Sequence, residues 1–256
     1  VAGFITPLLY FAGIVAVLVA AIMLKKTKPF SGKPAPFVME LPQYHIPSAR
    51  TVLLHVWERL KGFFIKAGTV LFLACVVMWI LSSFGIQDGA FGMVEDSADS
   101  LMAIVGGAIA PLFAPLGWGE WQPVAAAISG FSAKEGIVST MGLLSSLAVE
   151  VEEYEVSMHD AFAAFFPSGI AAVSFLLFNM FDSPCLAAIS SMAKEMGNRK
   201  FFWFAILFQN LMAYCVALVV YQLVGLAIGE VAFNVFTVVA LAVLAVLLYL
   251  LFRILS

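Results

Sequence analysis

Four apolar runs, each about as long as a bilayer is thick, constrain this sequence more than any other feature. They cover 7–24, 67–84, 201–228 and 231–252, and a helix needs about 20 apolar residues to cross the hydrocarbon core. The 256-residue chain is 63% hydrophobic and only 11% charged. A soluble fold of this length could not hide so much apolar surface from water. The sequence therefore predicts an all-α, polytopic bundle of transmembrane helices.

Other segments add detail to this bundle. The more broken apolar segments 100–116, 122–145 and 160–181 predict further membrane helices. Segment 25–48 contains five prolines and predicts a loop. Segment 49–66 places apolar residues on one helical side and charged residues on the other, which predicts an amphipathic helix at the membrane interface. The alternative is that this segment is the early start of the next spanning helix.

Charge predicts the orientation and excludes one class of partner. Lys and Arg concentrate in 25–66 and 193–200, whereas the acidic residues concentrate in 88–99 and 150–160. By the positive-inside rule the basic segments are cytoplasmic. The net charge is only −3, and no basic stripe is present, so nucleic acid is not an expected partner.

The first interruption in an apolar run lies within 122–145, where Lys134 and Glu135 occur together beside Ser132. A charged residue at the centre of a membrane helix costs about 2.5–3.5 kcal/mol on insertion scales, so such residues are usually paired or functional. Neighbours on a helix point about 100° apart, so each of the two must find its own partner or an aqueous cavity. The alternative is that both lie near the membrane edge and extend their charged ends to water.

The second interruption is the stretch from Asn179 to Cys185. Asp182 or Ser183 at a helix N-cap, followed by Pro184, is a helix-start pattern. One helix therefore stops and another starts at membrane depth, and 184–196 forms a half-helix that does not span. Irregular backbone at that depth is tolerated only where it faces protein or a cavity, and broken helices of this kind expose oxygen atoms that bind ions.

The three cysteines differ in their surroundings. Cys185 is expected in the first turn of the half-helix, where the thiolate is favoured, and the thiolate is the form that binds a metal. The alternative for a lone cysteine among apolar residues is a small packing residue, and this interpretation is preferred for Cys75 and Cys215. The sequence has no P-loop, dinucleotide fingerprint, serine-nucleophile motif or metal-ligand spacing of histidines. Neither catalytic residues nor a tightly bound cofactor are therefore expected.

Several motifs resemble those of the ferrous-iron transport protein B family. The resemblance rests on Pro36–Tyr44, Val56–Phe63, Lys66–Thr69, Gly130–Glu135 and Ser183–Cys185, in that order along the chain. Gln43 stands where the family has proline. The resemblance implies Fe(II) uptake across a bacterial or archaeal cytoplasmic membrane, with Fe(II) as the transported ion. It also implies a longer protein, in which a G domain hydrolyses GTP and a first gate domain completes the pore, so the present chain is not expected to be an enzyme. The expected partners are then the lipid bilayer, Fe(II), those two domains and, as a further possibility, other copies of the chain.

The resemblance divides the chain into four expected parts. They are the end of the first gate region with its basic loop (1–48), the interfacial helix (49–66), the second gate domain (67–228) and a C-terminal transmembrane helix (229–256). The expected metal-contacting residues are Cys185, Ser183 and Asp182, and the expected pore or gate residues are Ser132, Lys134, Glu135, Asn179 and Pro184. Two other functions stay open: transport of a polar organic solute such as a nucleoside, and a non-transporting membrane scaffold.

Overall fold

The fold is helical apart from one short β-hairpin. The computed structural model describes residues 2–25, 48–66, 68–69, 72–87, 90–94, 97–148 and 165–252. The chain divides into two compact units. The first is Val1–Gly68 with Ala245–Ser256, and the second is Thr69–Leu244.

The first unit contains two long helices. α1 (Ala2–Lys25) confirms the predicted spanning helix at 7–24, and its part Pro7–Lys25 is long and apolar enough to cross a membrane. α2 (Ala49–Lys66) confirms a helix at 49–66, whereas its position at the membrane interface stays a prediction. Ser48 starts α2, because its Oγ accepts a hydrogen bond from the Thr51 backbone N–H at 3.3 Å. Nearly all of the predicted loop 25–48, including the motif Pro36–Tyr44, lies outside the described residues.

The second unit opens with the apolar helix α3 (Phe72–Ser83). Residues 68–69 just before it are also helical, whereas 67 and 70–71 lie outside the described residues. The structure therefore confirms a helix over 72–83, and a spanning helix over all of 67–84 stays a prediction. After Ser83 the chain turns into the antiparallel strands β1 (Phe84–Gln87) and β2 (Ala90–Met93). Gly85 permits this, because a side chain there would collide with the Asp99 carbonyl.

The next two helices form a sharp bend. α4 (Leu101–Phe113) continues as a 3-10 turn at Ala114–Leu116, and α5 (Trp121–Ser132) follows at an angle of 102°. Gly117 makes the turn between them with φ 90°, a left-handed conformation that favours glycine. Such a bent pair is either one broken span or a re-entrant loop.

The predicted interruption within 122–145 is confirmed, because the chain breaks in the middle of this segment. α5 ends at Ser132, Ala133 is extended (φ −153°, ψ 135°), and α6 (Glu135–Ala148) begins two residues later. Gly136 lies so close to α5 that an added Cβ would come within 3.3 Å of the Ser129 carbonyl oxygen. The tight contact favours glycine at this position, and the start of α6 packs back against the end of α5.

The second predicted break is confirmed. α7 (Gly169–Phe181) stops at Asp182, and α8 (Leu186–Glu195) has ten residues, too few to span by itself. α7 begins at Gly169 rather than at 160, because Ser168 caps it by accepting the Ala171 N–H at 3.2 Å. Together α7 and α8 form one apolar unit of 27 residues, long enough to cross a membrane.

Two further apolar helices confirm the predictions at 201–228 and 231–252. α9 runs from Arg199 to Val219 and continues through a π-helical turn, Val220–Val224, to Ile228. α10 spans Val235–Phe252. Within the unit, the fully buried Gln222 donates to the Pro115 carbonyl at 2.7 Å and accepts from Thr237 Oγ1 at 3.1 Å. These bonds connect the π-helical turn to the α4–α5 bend and to the start of α10.

An aromatic cluster anchors the bend to α7. Trp118 is completely buried and stacks on Phe113 with 4.3 Å between ring centroids. Phe175 and Phe178 of α7 pack edge-on or tilted against it at 5.2 and 5.3 Å. Burying large aromatic side chains is the strongest packing contribution available to such a core. The cluster therefore fixes α7, and with it the break at Asp182, against α4 and α5.

Candidate functional site

The two helix breaks meet in the structure and form one polar site. Lys134, at the break between α5 and α6, donates a hydrogen bond to the Asn179 carbonyl oxygen at 2.9 Å. Its ammonium also pairs with Oδ1 of Asp182, which directly follows α7. The Asp182 side chain is 1% exposed and that of Lys134 is 35% exposed. The interruptions predicted separately from the sequence are therefore the two halves of one buried ion pair.

Local structure explains why Lys134 turns towards α7. The last carbonyl groups of a helix have no partner within the helix, and the helix dipole places partial negative charge there. The Asn179 carbonyl belongs to this final turn of α7, and the chain beyond Asp182 no longer follows a helical path. An ammonium group satisfies both the carbonyl and the Asp182 carboxylate. The ammonium therefore provides a partner for the Asn179 carbonyl and the Asp182 carboxylate. Without it, the helix break would leave both polar groups unpaired in apolar surroundings.

Asn179 contributes a second polar group beside the pair. Its Nδ2 donates to the Phe175 carbonyl at 2.8 Å, whereas its buried Oδ1 has no hydrogen-bond partner among the described residues. Gly130 of α5 faces this oxygen, since a Cβ there would lie 4.0 Å from it. A buried acceptor without a partner costs about 1–3 kcal/mol. Oδ1 is therefore an oxygen that a cation or a water molecule would satisfy.

Ser183 is held from the other side by a residue that the sequence analysis missed. Asn210, in the middle of α9, donates through Nδ2 to Ser183 Oγ and to the Ile206 carbonyl at 2.8 Å. Ser183 is 1% exposed. The signal that could have identified Asn210 is the polar pair Gln209–Asn210 inside the otherwise apolar run 201–228, because an amide within a membrane helix normally has a specific partner.

Cys185 and Pro184 lie just before α8. Cys185 occupies the N-cap position and its carbonyl accepts the Ile189 N–H at 3.0 Å, so the expectation that Cys185 lies in the first turn is wrong by one residue. Neither Asp182 nor Ser183 caps α8, because Cys185 is the N-cap and the three residues after Asp182 have no regular secondary structure. The thiol is free and half-buried.

The site supplies few strong metal ligands of its own. No group of three or more His, Cys, Asp or Glu side chains occurs within the described part of the chain. Asp182 and Cys185 are the ionisable side chains here that could contact a metal, and Ser183 and Asn179 add neutral oxygens. Such a partial set is suited to a cation that keeps part of its water shell and leaves again.

Ser132 and Glu135 do not join the ion pair. Glu135 is exposed at the start of α6, so the two neighbouring charges separate, as their helical geometry predicted. Ser132 is buried and lines a cavity of 540 Å³ between α3, α4, α5 and α6. Ala133 and Gly136 line the same cavity. The α5–α6 break therefore lies next to the cavity. From the same break, the Lys134 side chain extends to the ion pair with Asp182.

Membrane-length helices that are interrupted around buried polar groups define a multi-pass α-helical membrane protein. Among the described residues, four helices are long and apolar enough to cross a membrane, or five if the α4–α5 pair counts as one span. The family model for the C terminus of ferrous iron transport protein B matches residues 6–59, and the Gate model, described as nucleoside recognition, matches residues 64–199. The chain belongs to the ferrous iron transport protein B family and contains its Gate domain.

Individual relatives agree with this assignment. The chain is 32% identical over 222 residues to the Fe(2+) transporter FeoB of Methanocaldococcus jannaschii, covering 85% of this chain and 32% of that protein. It is 35% identical over 230 residues to FeoB of Campylobacter jejuni, covering 88% of this chain and 36% of the relative. For FeoB of Escherichia coli K12 the identity is 29% over 261 residues, with 84% and 33% covered. The chain thus spans about a third of the length of these relatives. No solved structure was found to match it.

Proposed function

We propose that this chain is the membrane portion of a ferrous iron transporter and conducts Fe(II) across the cytoplasmic membrane past the meeting point of the two helix breaks. The relatives are named as Fe(2+) transporters, which favours iron over a nucleoside-like solute or a passive scaffold. The observation that carries the proposal is the contact of Lys134 with Asp182 and Asn179, because it collects the membrane-depth polar groups of two broken helices at one place.

The ligand chemistry suits Fe(II). This ion is intermediate between hard and soft cations and accepts both oxygen and sulfur ligands, whereas Mg²⁺ and Ca²⁺ prefer oxygen alone. A Cys185 thiolate beside the Asp182 carboxylate would therefore select against those two abundant ions. It would not reject Zn²⁺ or Co²⁺ by affinity, since both bind such ligands at least as well.

Lys134 has a defined role in this mechanism as a positioning residue. Its ammonium occupies the Asp182 carboxylate when no metal is there and keeps a buried negative charge compensated. A divalent cation that reaches the site competes with the ammonium for the carboxylate, and Cys185 and Asn179 Oδ1 add ligands on arrival. When the cation leaves, Lys134 returns. Because each ligand is exchangeable, the site binds strongly enough to select and weakly enough to release.

Control by GTP belongs, in this proposal, to a G domain carried elsewhere in the full-length protein, because the present sequence has no P-loop. The chain itself then acts as a conduit rather than as an enzyme. The surrounding membrane is the cytoplasmic membrane of a bacterium or archaeon, since the relatives come from both groups.

The test is Fe(II) uptake by the full-length protein in proteoliposomes with Cys185→Ala, and with Cys215→Ala as the matched control. Cys215 is also a half-buried free cysteine, but it lies in α9. We expect Cys185→Ala to lower the maximal uptake rate about tenfold, equivalent to about 1.4 kcal/mol, and Cys215→Ala to leave it unchanged. Equal rates and equal metal preference in both variants would remove Cys185 from the mechanism.

A further inference from the structure

Hydroxyl groups line part of the cavity between α3, α4, α5 and α6, whose wall is otherwise mostly apolar. Eight serine and threonine side chains contribute to its wall: Ser82, Ser83, Ser97, Ser100, Ser129, Ser132, Ser139 and Thr140. They come from the end of α3, the turn before α4, and both sides of the α5–α6 break. No charged side chain lines the cavity among the described residues. Such a cluster of hydroxyl groups offers hydrogen bonds to a polar ligand.

The hydrogen bonds of these serines make the wall rich in acceptors. Ser129 Oγ donates its proton to the Ala126 carbonyl at 2.7 Å, Ser82 Oγ donates to the Met78 carbonyl at 3.0 Å, and Ser139 Oγ donates to the Glu135 carbonyl at 3.4 Å. A hydroxyl has one proton and two lone pairs. Because the proton of each hydroxyl is used in a bond to the backbone, each of these three oxygens can accept a hydrogen bond from a ligand but cannot donate one.

Uncharged hydroxyl acceptors in such a cavity favour a ligand that carries hydrogen-bond donors on its surface. The coordinated waters of a divalent cation direct their protons outwards, so a hydrated cation is such a ligand, whereas an anion presents only acceptors and a nucleoside presents both kinds. Neutral hydroxyls alone do not replace the water shell of a divalent ion, which prefers charged or strongly polar oxygen ligands. Hydrogen bonds through bound water are nearly as favourable as direct ones. The cation would therefore stay hydrated.

The cavity is large enough to hold a hydrated divalent cation. Six coordinated waters occupy about 180 Å³ at roughly 30 Å³ each, and the cavity holds 540 Å³. The position agrees as well, because Ser132 and Ala133 line the cavity while the next residue, Lys134, belongs to the ion pair. We propose that this cavity binds a hydrated divalent cation through its water shell, before the cation loses water at Asp182 and Cys185. This inference rests on the proposed function of the chain.

The experiment uses hexaamminecobalt(III), whose six ammonia ligands do not exchange and which binds only through the N–H donors of its outer surface. We expect it to inhibit Fe(II) uptake by the full-length protein competitively. The double variant Ser129→Ala/Ser139→Ala should raise both the half-saturating Fe(II) concentration and the inhibition constant of the cobalt complex about tenfold, since two hydrogen bonds are lost. Its maximal rate should be unchanged.

Three matched variants make the test specific. Ser190→Ala removes a hydroxyl that bonds within α8 at Ala187 and should change nothing. Ser129→Thr/Ser139→Thr keeps both hydroxyls and should restore the inhibition constant, which separates the binding role from a packing defect. Cys185→Ala should lower the maximal rate and leave cobalt inhibition intact.

Several outcomes would overturn the inference while leaving the proposed function standing. One is normal Fe(II) uptake without cobalt inhibition. Another is inhibition that is equal in the cavity variants and in Ser190→Ala, since the complex would then act elsewhere. Competition by adenosine in place of the cobalt complex would assign the cavity to a nucleoside. If the full-length protein transports no Fe(II), the proposed function fails, and equilibrium dialysis of the cobalt complex with the purified protein and its double variant still decides whether the cavity binds it.

Discussion

Removing the Lys134 ammonium while keeping the Asp182 carboxylate is the sharpest test of how the two helix breaks are held together. In Lys134→Met the side chain keeps its length and apolar stem, but the 1% exposed carboxylate loses its counter-charge and the Asn179 carbonyl loses its donor. Leaving one partner of a buried pair uncompensated costs about 3–5 kcal/mol. Because Lys134 is 35% exposed, we expect the low end, about 3 kcal/mol.

The assay is thermal unfolding of the purified full-length protein. In a domain of this size about 1 kcal/mol lowers Tm by about 2–4 °C, so Lys134→Met should lower it by about 6–12 °C. Lys194→Met is the matched control, since Lys194 is an exposed lysine near the end of α8. Its Tm should stay within about 1–2 °C of the original, as expected of a surface change.

A double-mutant cycle distinguishes the pair from two independent residues. Asp182→Asn alone leaves the ammonium without its counter-charge, whereas Lys134→Met/Asp182→Asn removes both charges. The double variant should therefore be more stable than the sum of the single losses predicts, with a coupling energy above about 1 kcal/mol. A Tm for Lys134→Met equal to that of Lys194→Met, or single losses that simply add, would refute the reasoning that the ion pair joins the two breaks.

Two further predictions concern the polar contacts that support this site. Asn210→Leu removes the donor to Ser183 and should cost about 1–3 kcal/mol, with a lower Tm and slower Fe(II) uptake; an unchanged Tm would show that the amide does not hold the break. Thr237→Val removes the hydroxyl that donates to buried Gln222 and should also cost about 1–3 kcal/mol, whereas Thr237→Ser keeps the hydroxyl and should lose less. Equal Tm values for the valine and serine variants would contradict that role.

Helix spans and helix breaks could be predicted from the sequence wherever the lipid environment alone restricts which residues are allowed. Apolar length predicted α1, α9 and α10 because every backbone polar group at membrane depth must be satisfied within its own helix. The break after α7 was predictable for a similar reason, since Asp182, Ser183 and Pro184 interrupt an apolar run with residues that do not continue a helix.

The sequence by itself determined that this protein is a polytopic membrane bundle with polar interruptions, because both properties depend on residues that are neighbours along the chain. Only the tertiary structure decided that Lys134 finds Asp182, 48 residues away, that α3 stops at Ser83 where Gly85 packs against Asp99, and that serines from four segments surround one cavity. These features arise from packing between helices, and helical periodicity carries no information about which polar faces will meet.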